Sequence, residues 1–224
     1  MIWNHERATC AVSILKHGKN IHTRISTRKD VIIISALGIA YRITEGGKKN
    51  VEIELRKYPQ MDDLRWFKEC TIGTMGKETK TPPTSDFLRR MLTARHSPIR
   101  ELTFSYVIRD IPYWVSVHLV RHHVGFQPYV QSQRNDRQNQ YDRTKAPQDA
   151  PVTMRVTLNA EALLNLANKR LCMKASPETR EVVSRMCALA EIVMPELRGL
   201  LVPMCEYHGG KCYEMTPCGR AKTP

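Results

Sequence analysis

The stretch Ser116–Arg137, SVHLVRHHVGFQPYVQSQRNDR, organises the rest of the chain. Its opening, Val115 to His122, is dense in Val and Leu and sets His118, Arg121 and His122 at i, i+3 and i+4. On a helix these three side chains share one face. Gly125 and Pro128 then break the helix. Beyond them Ser132 and Arg134 stand two residues apart, which in an extended segment points them the same way. Guanidinium forks grip phosphate bidentately, and a hydroxyl with loop N–H groups completes such a cradle. The pattern suits a planar, phosphorylated ligand.

Length and composition set the outer bounds. With 224 residues, the chain suggests one domain of ordinary size or a domain with an appendage. No apolar run approaches the ~18 residues of a membrane span. Val31–Ala40 is too short to span and lacks a cleavage pattern, so neither a membrane segment nor a signal peptide is expected. Seven cysteines without a secretory signal point to a reducing compartment, and to free thiols or metal rather than a disulfide framework. The net charge is +13. Residues 1–50 hold nine Lys/Arg against three Asp/Glu, and the other 174 hold 26 against 19. Such an excess favours anionic partners, whether nucleotides or nucleic acid.

Residues 1–50 are expected to form a basic N-terminal extension, loosely ordered, in which Val31–Leu37 could form a buried strand. Val51–Leu55 alternates as a strand does. Asp62 and Asp63 can cap a short helix through Phe67. Cys70–Lys77 has the glycines of a phosphate loop without the Walker spacing. Thr84 or Ser85 caps a helix to Arg95, with Phe87, Leu88, Met91 and Leu92 facing inward. Leu102–Ile108 alternates again. Asn135–Gln148 is polar and reads as a surface loop. Leu158, Ala162, Leu163, Leu166 and Leu171 make a helical stripe, on which Asn159 and Arg170 would point to nearly the same side. Ser176-Pro177-Glu178 opens a last helix running to about Leu200.

Two constellations resemble the flavin-dependent thymidylate synthases, the ThyX family. Arg121-His122-His123, eight residues, then Ser132-x-Arg134 is similar to that family's R-H-R-x7-S-x-R. His123 stands for an Arg, the spacer is one residue longer, and the signature's Glu has no counterpart. Asn159–Arg180 is similar to N-x-R-x3-N-x4-R-x3-H-A-Q-x-E-[IT]-R without a gap: Asn159, Asn165, Arg170, Ala175, Glu178 and Arg180 match. Glu161, Lys174 and Ser176 depart, replacing Arg, His and Gln. His96-Ser97-Pro98 resembles the segment H-x-[ST]-P-F-E-H, with Arg100-Glu101 where the family has Glu-His.

The resemblance covers about 51–200. It implies an α+β fold, a mixed sheet with helices, and a homotetramer whose active sites lie at subunit interfaces. It further implies reductive methylation of dUMP to dTMP with bound FAD, methylenetetrahydrofolate as carbon donor and NADPH as reductant, in the cytoplasm. Carried over by position, Arg121 and Arg170 would be catalytic. His118, Arg121, Ser132, Arg134 and Arg170 would hold the substrate. His96, Ser97, His122, His123, Asn159 and Asn165 would face the flavin. The departures leave open another pyrimidine nucleotide as substrate.

Residues 201–224 form a Cys-rich tail outside the resemblance. Cys205, His208, Cys212 and Cys218 fall within fourteen residues and could make a Cys3His zinc site, with free thiols as the alternative. The competing function is a basic, zinc-tailed nucleic-acid-binding protein without catalysis, whose affinity would fall steeply with salt.

Overall fold

The computed structural model describes the strand backbones between 11 and 44 and, with side chains, residues 51–134, 142 and 144–223. Among the described residues eight strands form one sheet: β1 (Ala11–His17), β2 (Asn20–Ser26), β3 (Asp30–Ser35), β4 (Ala40–Thr44), β5 (Glu52–Lys57), β6 (Thr103–Pro112), β7 (Phe126–Val130) and β8 (Pro151–Asn159). Their order is β1-β2-β3-β4-β5-β6-β8-β7, and every pairing is antiparallel. The expected mixed sheet is therefore an antiparallel one in an α+β fold. Residues 11–44, expected as a loose extension, contribute a four-strand meander that continues onto β5. The expected strand at Val31–Leu37 corresponds to β3.

Helices α1 (Met61–Gly73), α2 (Ser85–Ala94), α3 (Tyr113–Val120), α4 (Ala160–Arg170), α5 (Pro177–Val193) and α6 (Met204–Tyr207) complete the fold. The core lies on one face of the sheet, where Ile53, Leu55, Phe104, Tyr106, Ile108, Met154, Val156 and Leu158 are buried. Leu88, Leu92, Leu163, Leu166, Val183, Met186 and Leu189 of the helices belong to the same buried cluster. Tyr106 donates its hydroxyl to the Met186 carbonyl at 3.0 Å, so the ring is buried without stranding its polar end. The opposite face is polar. Ser105 and Thr157 hydroxyls meet at 2.9 Å, and Arg109 bonds Glu52 and Glu54 at 3.0 Å each. Glu54 is buried, and Arg56 Nε approaches its Oε1 to 2.6 Å without hydrogen-bond alignment. That carboxylate is compensated by two guanidinium groups, as a buried charge requires.

Caps set most helix boundaries. Gln60 and Asp63 close a reciprocal box at α1, which runs on to Gly73 and absorbs the start of the expected phosphate loop. Thr84 accepts from Phe87 N–H at 3.2 Å. Ser176 caps α5, which stops at Val193 rather than near Leu200 because Pro195 removes a backbone donor. The expected stripe at Leu158 is corrected: Leu158 belongs to β8, and α4 starts only at Ala160. Pro128 sits in β7, an edge strand, where a missing N–H is tolerated.

Candidate active site

The C-terminal end of α4 meets the C-terminal end of α3. Arg170, the last residue of α4, donates from Nε to His122 Nε2 at 2.9 Å and from a terminal nitrogen to the His118 carbonyl at 2.8 Å. A guanidinium has no lone pair to offer. The His122 Nε2 must therefore be unprotonated, with the ring proton on Nδ1. Burial, then Arg170, His123 and Lys169, push the His122 pKa down to about 4. His118 is also lowered, first by burial and then by Arg170 and Arg121. Its Nδ1 lies 3.2 Å from the hydroxyl of buried Thr179, and its ring packs edge-on to Trp114. Arg170 itself is lowered by burial and by Arg121.

Among the described residues, neither Arg121 nor Arg170 forms an ion pair with a carboxylate. At neutral pH the cluster thus holds two guanidinium charges, of which Arg170 is fixed by a neutral imidazole and a backbone carbonyl and Arg121 is exposed. Its unmet need is an anion. The helical face expected for His118, Arg121 and His122 is largely realised, although α3 ends at Val120 and Arg121 is its C-cap.

Ser132 and Arg134 are not part of this cluster. They line a separate cleft of about 580 Å³, with Ser116, Val120, Gln131 and Gln148. Arg134 N–H donates to Ser132 Oγ at 3.2 Å, so the two share a tight turn after β7. The cleft and the Arg170 cluster use different faces of α3. One chain therefore does not bring the substrate-binding residues into one pocket.

The residues expected at the flavin are dispersed over α4, the loop after α3 and the 3-10 turn before β6. Asn159 is its N-cap, with Oδ1 accepting from Ala162 N–H at 2.9 Å. As the N-cap of an eleven-residue helix that ends at Arg170, it lies about three turns from that residue, as the spacing suggested. Its backbone N–H donates to the Gly125 carbonyl at 3.0 Å. Gly125 has φ +66°, and a Cβ there would lie 2.6 to 2.9 Å from the Asn159 amide atoms. Only glycine meets both conditions. Asn165 Oδ1 accepts from Arg95 at 3.0 Å. With both amide oxygens used internally, each side chain has its NH2 left to donate. His96 and Ser97 are exposed at the start of the 3-10 turn Ser97–Glu101. His123 is exposed, with its Nδ1 3.2 Å from the Arg121 carbonyl.

Two departures from the family motif meet one another. Arg100 Nε donates to Glu161 at 2.6 Å. The charge reversal at Glu161 is thereby matched by the cation at Arg100. Sequence reasoning passed over Arg95. Its backbone adopts φ +54°, and its guanidinium serves Asn165 and buried Asn168 while stacking 4.1 Å above the Tyr207 ring. Asn168 also donates to the Val202 carbonyl at 2.7 Å, which ties α4 to the tail. The only signal in the sequence was a polar residue at an otherwise apolar helix position.

In the tail, Cys212 is buried, Cys205 half-buried and Cys218 exposed, and the His208 ring stands edge-on between Tyr207 and Tyr213. Among the described residues no three His, Cys, Asp or Glu side chains converge at metal-ligand spacing. The expected Cys3His arrangement is thus not assembled as such.

The model of the family described as "Thymidylate synthase complementing protein", Thy1, matches residues 135–196. Among solved structures, the UMP/dUMP methylase PolB from Streptomyces cacaoi bound with 5-Br dUMP is similar, with TM-score 0.56 and 15% identity over 68% of this chain and 95% of that one. Thymidylate Synthase X from Helicobacter pylori with FAD and dUMP gives TM-score 0.52 and 15% identity, over 67% of this chain and 97% of that one. No curated protein matches in sequence. At such identity the structures speak for the fold, and the family model for the segment that carries Asn159, Asn165 and Arg170. The chain is thus similar to the ThyX family in fold and, over residues 135–196, in sequence.

Proposed function

We propose that the chain is an FAD-dependent pyrimidine-nucleotide methylase, converting dUMP to dTMP with methylenetetrahydrofolate as carbon donor and NADPH as reductant. The observation that carries this reading is Arg170, held by a neutral histidine with Arg121 as an electrostatic neighbour, and neither guanidinium is paired with a described carboxylate. Fixed guanidinium groups stabilise negative charge that develops on a pyrimidine ring as it is alkylated, at no cost of reorganisation. They also hold a nucleotide's carbonyls or phosphate.

Arg170 acts on the substrate with Arg121, and His118 frames the pocket as a neutral group. Ser132 and Arg134, on the other face of α3, would serve the nucleotide held by a second copy of the chain. That division calls for active sites at subunit interfaces, and the resemblance to the ThyX family makes the assembly a homotetramer. Bound flavin, once reduced by NADPH, would supply the hydride that completes the methyl group. The free NH2 groups of Asn159 and Asn165, with exposed His96 and Ser97, offer the hydrogen-bond donors that a carbonyl-rich flavin ring needs, and His122 and His123 border the same loop. A cytoplasmic location goes with that chemistry. Because PolB is described as a UMP/dUMP methylase, UMP is the alternative substrate.

The test is an absorbance spectrum of the purified protein with FAD, into which dUMP and UMP are titrated separately. A bound flavin whose bands shift with dUMP supports the reading. A shift with UMP alone would assign the ribonucleotide. Protein that binds no flavin contradicts it and favours the basic nucleic-acid-binding alternative.

A further inference from the structure

Beside the candidate active site, the loop after α4 and the C-terminal tail enclose a second cavity, of about 180 Å³. Four thiols line it: Cys172 from the body, and Cys205, Cys212 and Cys218 from the tail. His208 lines it too.

The tail itself poses the problem that a cross-link would solve. After Pro203 its one helix is the four-residue α6, and Cys212 is the one buried residue among those described. Segments this short do not hold a fixed conformation by burial alone, and ordinarily need disulfides or a metal. Yet the chain brings four of its seven cysteines to a single cavity beside one ordered helix end. Lys169 and Arg220 line the same space against one carboxylate, Glu214. A divalent ion with four thiolates carries two net negative charges, which that cationic excess offsets.

We propose that Cys172, Cys205, Cys212 and Cys218 bind one thiophilic divalent cation of the zinc class, stapling the tail to the C-terminal end of α4. The sulfurs ring the cavity without converging on one point. Binding draws them in through side-chain rotation to the ~2.3 Å of a zinc–thiolate bond. Each thiol gives its proton to solvent as its sulfur takes a coordination position. His208, already wedged between two tyrosine rings, stays outside the ligand set. Including Cys172 distinguishes this site from one built of tail residues alone. It also makes the staple structural, with every tetrahedral position closed to substrate.

Elemental analysis of full-length protein, grown with zinc and dialysed, should find about one zinc per chain. Exchange with Co²⁺ should give the intense charge-transfer bands of a four-thiolate tetrahedral site. Cys172→Ser should lose the metal, whereas His208→Ala and Cys70→Ser should keep it. Protein without zinc that gives no cobalt–thiolate band on reconstitution would overturn the site. Metal retained in Cys172→Ser, or lost in His208→Ala, would overturn the ligand set. Should Cys172→Ser fail to fold, the band intensity of the unaltered protein counts the thiolates, and fewer than four overturns the proposal. None of these readouts depends on flavin or nucleotide binding, so the site stands or falls separately from the enzymatic reading.

Discussion

Replacing Arg170 by Met keeps much of the buried stem and removes the charge, the Nε donor to His122 and the bond to the His118 carbonyl. His122 titrates at about 4 against an ordinary value of 6.5, with burial the first cause and Arg170 the second. Without Arg170 the burial remains, so the value should rise towards 6.5 without reaching it. The linkage has a definite sign. Between pH 6.5 and 4 the unfolded chain takes up a proton that the folded His122 refuses, so stability is complete above 6.5 and falls as pH drops to 4. Arg170→Met should flatten that fall. The same substitution should weaken dUMP binding by about 10- to 100-fold, the worth of a hydrogen bond to a charged group at ~1.5–3 kcal/mol. The assay is a pH series of histidine ring spectra, with the His122 signal assigned by its loss in His122→Gln, alongside a dUMP titration. An unmoved His122 pKa would refute the account of what holds it down. Unchanged nucleotide affinity would refute the assignment of Arg170 to the substrate.

Two further substitutions probe how the site is built. Gly125→Ala should destabilise the protein by at least ~1–2 kcal/mol from the left-handed backbone alone. Displacing the Asn159 cap should cost ~1 kcal/mol more, read as a lower urea midpoint, and a midpoint equal to the parent's would show that the loop relaxes freely. Arg100→Glu should lower the melting temperature by facing Glu161 with a like charge, and Arg100→Glu with Glu161→Arg should restore it. A double variant no better than the single one would mean that the two residues are not coupled.

The placement of much of the candidate cluster was legible because its residues are fixed by local spacing. His118, Arg121 and His122 lie within one turn, so a helix end was enough to place them near one another. Arg170 was legible as a site residue but not as the partner of His122, since the two lie 48 residues apart and only the packing of α3, α4 and α5 joins them. Ser132 and Arg134 follow the same motif yet fall on the far side of α3, because β7 carries the chain across the sheet edge before they appear. Strand β8 was passed over although Val152, Met154, Val156 and Leu158 alternate cleanly. Leu158 also stands four residues before Ala162, and that coincidence lent it to a helical stripe. The charge reversal at Glu161 looked like altered ligand chemistry, but Arg100 neutralises it from the 3-10 turn, a pairing that no local pattern announces. The clustering of Cys172 with the tail is likewise a product of tertiary folding, at a distance of more than thirty residues in sequence.

The most direct test of the central claim is turnover. Purified protein loaded with FAD would be incubated with dUMP, methylenetetrahydrofolate and NADPH, and the nucleotide analysed by mass spectrometry. The account predicts dTMP, formed only when all components are present and abolished in Arg170→Met. Flavin-loaded protein that oxidises NADPH yet leaves both dUMP and UMP unmethylated would contradict it.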